Sequence, residues 1–98
     1  MFQEELTITG IAKVPQKYLV VLSGSYLYFY LGEHDLTPHY AYLMSFTASE
    51  KDGQMVLSSE RTGETFYLQI ERESRLHLLQ LIKAKLEEFS YEDQAGPV

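Results

Sequence analysis

The chain reads as a mostly-β α+β domain: six to seven antiparallel strands in a half-barrel or sandwich, capped by one C-terminal helix. Two observations predict this. Up to about Glu71 the apolar residues recur with period two and are rich in β-branched and aromatic types; beyond it the period becomes helical. The strand-like runs are also short and separated by turn chemistry rather than by crossover helices, which excludes a parallel βαβ arrangement.

Leu6 to Ala12 is the first expected strand, ended by Pro15, which cannot donate to a ladder. Lys17 to Leu22 is the second. Ser23-Gly24-Ser25 predicts a hairpin into Tyr26 to Leu31, where Leu27, Phe29 and Leu31 share one face and Tyr26, Tyr28 and Tyr30 the other. A polar loop from Gly32 to Pro38 leads into Tyr40 to Phe46, whose two faces both carry large apolar groups, so that its register stays open. A short strand is expected near Thr47 and Ala48, then a turn at Glu50-Lys51-Asp52-Gly53. Strands follow at Gln54 to Ser59 and Thr65 to Ile70, joined through Arg61-Thr62-Gly63-Glu64.

Glu73 to Phe89 contains neither glycine nor proline. On a helix, Leu78, Leu79, Ile82, Leu86 and Phe89 fall within about 100° and form the face expected to close the barrel. Leu76 and Leu81 border that stripe. Residues 1–5 read as a lead, 6–89 as the domain and 90–98 as a polar tail that frays.

Ninety-eight residues make one core. No cysteine is present, so disulfides and thiol chemistry are excluded. With 14 acidic against 8 basic residues the net charge is −6, which disfavours nucleic acid and anionic lipid at long range. The apolar runs fall short of the ~20 residues a membrane helix needs, and the acidic N-terminus does not read as a signal peptide. A cytoplasmic protein, or a module of a larger one, is expected.

The order and spacing resemble a pleckstrin homology domain. Tyr18-Leu19-Val20-Val21-Leu22, the Ser23-Gly24-Ser25 turn and Tyr26-Leu27-Tyr28-Phe29-Tyr30 look like that family's second and third strands, and Met55 to Ile70 like its last hairpin. The resemblance implies seven strands in two near-orthogonal sheets and a capping helix. It departs from the family in lacking tryptophan, with Leu79 nearest the usual position. Phosphoinositide-binding members carry a late lysine in the first strand and a basic-x-Arg triplet opening the second. Lys13 matches the first, but the triplet is Gln16-Lys17-Tyr18, without its arginine. A tight phosphoinositide pocket is therefore not expected.

Lys13 and Lys17 are the candidate lipid contacts; the plain alternative is two solvated lysines. Tyr26, Tyr28 and Tyr30, with Tyr18, Tyr40, Tyr42 and Tyr67, suit either a partner-binding aromatic face or cross-strand pairing on a half-buried sheet. Leu76 and Leu81 are further candidate partner contacts. His34, His39 and His77 have no metal-ligand spacing, and no nucleophile motif occurs. The reading is a non-catalytic interaction or scaffolding module without cofactor. Its partner is a protein, either basic or a second copy, with weak attachment to anionic lipid as the alternative.

Overall fold

The computed structural model describes residues 2–32 and 34–94, with side chains described up to residue 88. Seven strands precede one helix: β1 (Gln3–Thr9), β2 (Gln16–Ser23), β3 (Tyr26–Tyr30), β4 (His39–Tyr42), β5 (Thr47–Lys51), β6 (Gln54–Ser58), β7 (Thr65–Gln69) and α1 (Arg72–Gln94). All ladders are antiparallel, in the order β4-β3-β2-β1-β7-β6-β5.

β1 is the hinge of this sheet. Residues 3–8 pair with β2, while only Thr7, Ile8 and Thr9 pair with β7. The two halves expected as separate sheets are thus joined through a three-residue ladder. Gly10 follows immediately at φ +115, and a Cβ there would overlap the carbonyl oxygen of Thr65. Only glycine allows the β1 end to pass so close to the β7 backbone.

Alternation places the core. Leu6 and Ile8 of β1 point inward, as do Tyr18, Val20 and Leu22 of β2 and Leu27 and Phe29 of β3. Phe66 stacks on Phe46 and meets Phe29 edge-on, at centroid distances of 5.7 Å in both cases. From α1, Leu78 and Ile82 enter this core fully, each burial contributing about 1.5–3 kcal/mol. Leu79, Leu81 and Leu86 pack against it half-buried, so the wide stripe is largely a wide plug.

Several element bounds differ from expectation. β1 starts at Gln3, and Phe2 is buried with its carbonyl accepting from the Leu22 amide, so residues 2–5 of the expected lead belong to the fold, residue 1 lying outside the described residues. β3 stops at Tyr30, leaving Leu31 exposed rather than on the core face. The fourth strand ends at Tyr42; a 3₁₀ turn over Leu43–Ser45 then redirects the chain into a β5 longer than expected. Asp52 and Gly53, both at positive φ, form the type I′ hairpin turn that an Asp-Gly pair favours. The helix runs to Gln94, so residues 90–94 are helical rather than tail; the Phe89 side chain and residues 95–98 lie outside those described.

Candidate functional site

The β3–β4 hairpin carries the most unusual surface. Register places Tyr26 opposite Tyr42 and Tyr28 opposite Tyr40, all on the outer face, while Ala41 faces inward against Leu27. Tyr26 is the centre of the cluster, 5.2 Å from the Tyr42 ring, 5.7 Å from Tyr40 and 5.9 Å from Tyr28. Tyr30 extends it, 6.2 Å from Tyr28. Tyr18 is not part of this face: it is 5% exposed and points into the core side of β2. Tyr67 lies on the outer face of β7, on the other half of the sheet.

Exposure is concentrated on the same hairpin and its continuation. Eight large apolar side chains are markedly exposed among the described residues. Five of them, Leu31, Leu36, Tyr40, Tyr42 and Met44, lie within residues 31–44. β4 is also a sheet edge with one row of backbone groups unpaired. Exposed apolar groups gathered beside a free edge suit a binding surface better than scattered ones do.

Beneath the hairpin opens a cavity of about 670 Å³. Its walls include Tyr18, Phe29, Tyr40 and Phe46, and its polar rim comes from the β3–β4 and β6–β7 connections. Asp35 shapes the first of these, accepting from the Leu31 amide at 2.9 Å and the Thr37 amide at 3.0 Å. Glu64 sits on the second and accepts from His39 Nε2 at 3.3 Å, because an ionised carboxylate can only accept. His39 also lies edge-on to Phe66, with centroids 5.4 Å apart. Among the described residues no lysine or arginine lines this cavity.

A second concavity, also about 670 Å³, runs between the β5 edge and α1, lined by Phe46, Ala48, Leu79, Ile82 and Leu86 with Lys83 and Glu87 at its rim.

Lys13 and Lys17 are exposed and away from both concavities. Lys17 pairs with Thr7 and lies in a small cleft of about 220 Å³ with Glu5 and Tyr30. The position where the resemblance places an arginine is taken by the inward-pointing Tyr18. Leu76 is exposed on the first half of the helix, whereas Leu81 packs against the core. His34 and His77 are exposed, and no three His, Asp or Glu side chains gather as a metal site among the described residues. Sequence reading missed the Tyr18–His39–Glu64 grouping, whose members are 21 to 46 residues apart and meet only through the sheet order.

The strand order and capping helix match solved structures closely. The N-terminal PH domain of human ARAP2 superposes with a TM-score of 0.74, covering 91% of this chain and 81% of that one at 19% identity. The chain has the pleckstrin homology fold. A structure of Vav1 inhibited by an allosteric inhibitor matches at a TM-score of 0.69 and 13% identity, over 87% of this chain and 18% of that one. No protein-family model and no curated protein sequence matches. Pleckstrin homology domains mediate protein or lipid interactions and are generally non-catalytic. No helix among the described residues of this PH-like domain is long and apolar enough to cross a membrane.

Proposed function

We propose that this PH-like domain is a non-catalytic, cytoplasmic protein-interaction module that recruits or scaffolds a protein partner through its β3–β4 hairpin. The observation that carries this reading is the clustering of Leu31, Leu36, Tyr40, Tyr42 and Met44 as exposed apolar groups beside a free sheet edge. Tyrosine suits such a surface, giving rigid contact area with a polar end. Such a module belongs in signalling or trafficking assemblies.

The test compares capture of partners by the wild type, the Tyr40→Ser/Met44→Ser double variant and the Leu76→Ser variant, each shown to be folded by circular dichroism. The reading expects a protein retained by the wild type and Leu76→Ser but lost in the hairpin variant. Equal retention by the hairpin variant, or no retained protein together with a monomer at every concentration, sinks it.

A second reading, weak attachment to anionic membrane, is favoured by Val14, which is exposed directly beside Lys13. Lys13 and Lys17 would contribute only about 1 kcal/mol each at such a surface. The acidic rim of the cavity beneath the hairpin supports the protein reading over this one.

A further inference from the structure

We propose that the cavity beneath the β3–β4 hairpin is a receptor for an arginine side chain presented by the protein partner, a proposal that rests on the interaction-module reading above. Three observations converge on a guanidinium.

The first is charge. Asp35 and Glu64 line the cavity, and no described lysine or arginine does. Glu64 shares only its Oε2 with His39, leaving Oε1 free to accept among the described residues. Asp35 already serves two backbone amides, so it supplies field rather than a fresh contact.

The second is Tyr18. Its side chain is 5% exposed and lines the cavity, yet nothing among the described residues hydrogen-bonds its hydroxyl. No buried side-chain polar atom lacks a partner among the described residues, so this hydroxyl is the part of Tyr18 that reaches solvent, where it can accept from a group that enters. An arginine brings five donors and no acceptor, which matches a rim made of carboxylates and hydroxyls from Tyr18, Thr37, Ser45 and Thr62.

The third is the wall. Phe46, half-buried, presents aromatic surface inside the same cavity. A planar guanidinium stacks on such a face while its edge bonds a carboxylate, a combination an ammonium reproduces less well. At about 670 Å³ the cavity also admits the residues flanking the arginine, within the size range of ordinary ligand sites. A phosphate finds the opposite of what it needs there.

The experiment is an NMR titration of the full chain with N-acetylarginine methylamide and with its citrulline counterpart, a neutral shape mimic. Shifts at Tyr18, His39 and Glu64 with the arginine probe and none with citrulline are expected. Glu64→Gln should weaken binding by about fivefold or more, the loss of one charge-assisted contact. Tyr18→Phe, which keeps the ring and the packing, should weaken it by about threefold. Asp52→Asn removes the same charge from a distant turn and should change binding by less than about twofold, as expected of a screened, exposed group.

Absence of cavity shifts overturns the proposal, as do equal losses in Glu64→Gln and Asp52→Asn. So do shifts confined to the β5–α1 groove, or shifts produced by inorganic phosphate at the same residues. These outcomes leave the hairpin variant's result untouched, so failure of the cavity and failure of the hairpin reading are told apart.

Discussion

Arg75, in the first turns of α1, donates its Nε to Glu50 Oε2 at 2.8 Å, fastening the base of the helix to the β5 edge strand. The same guanidinium donates Nη1 to the carbonyls of Gly53 at 2.7 Å and Ile70 at 3.1 Å. One side chain, 11% exposed, thus ties the β5–β6 turn and the end of β7 to the helix start. Truncation to alanine should destabilise the domain by about 2 kcal/mol in urea unfolding, since two carbonyls and a carboxylate lose their donor together. Glu50→Gln should cost only about 0.5 kcal/mol, because Glu50 is largely solvated. Arg75→Lys should recover less than half of the loss, because an ammonium does not span three separated acceptors. Equal effects of Arg75→Ala and Glu50→Gln would show that the carbonyl contacts contribute nothing.

Gly10 carries the second prediction. Its φ of +115 and the overlap of any Cβ with the Thr65 carbonyl make Gly10→Ala strained twice over. A loss of about 2–3 kcal/mol is expected from backbone strain at such a position. Gly32→Ala is the control: open space surrounds it and its φ is not positive, so its change should stay within about 0.5 kcal/mol. A Gly10→Ala domain as stable as the wild type would mean that β1 does not need to pass β7 so closely.

The third concerns the helix. Leu78 is fully buried while Leu76, two residues earlier, is 43% exposed. Leu78→Ala should destabilise by about 2–4 kcal/mol through lost burial and a residual cavity, whereas Leu76→Ala should cost less than about 0.5 kcal/mol. Similar losses at both positions would contradict the helix orientation.

The tyrosine face yields the fourth. Tyr26 touches three rings, Tyr28, Tyr40 and Tyr42, and Tyr67 touches no other tyrosine among the described residues. Aromatic pairs contribute about 0.5–1.5 kcal/mol each beyond area burial. Thermal unfolding should therefore show Tyr26→Ala as the more damaging substitution; the reverse order would mean that the cluster exists for binding and adds nothing to the fold.

A fifth follows from the exposed lysines. Pelleting with phosphoinositide-containing liposomes should be weak, and Lys13→Glu/Lys17→Glu should lower it by about thirtyfold, given about 1 kcal/mol per lysine. Strong pelleting abolished by that double variant would reinstate the lipid reading.

The strand count, the hairpin turns, the single helix and the inward residues Leu78 and Ile82 were legible in the sequence. Each rests on local periodicity or on a dihedral preference carried by one or two residues: Gly24 and Asp52-Gly53 at turns, and 3.6-residue spacing from Glu73 onward. Tertiary structure alone decided the register of β4. There the small Ala41 is buried and the larger tyrosines lie outside, the reverse of what apolar bulk suggests. Pairing opposite Leu27 puts Ala41 inside, while Tyr26 and Tyr28 offer rings for Tyr40 and Tyr42 to pack on at the outer face. Phe2, Glu4 and Arg75 found their roles the same way: Ser74 Oγ donates to Glu4 at 3.1 Å across 70 residues. The cavity formed by Tyr18, His39 and Glu64 is the clearest case. Period and propensity act over a few neighbouring residues, but a site assembled from β2, β4 and the β6–β7 turn exists only once sheet order brings those strands to one end of the barrel.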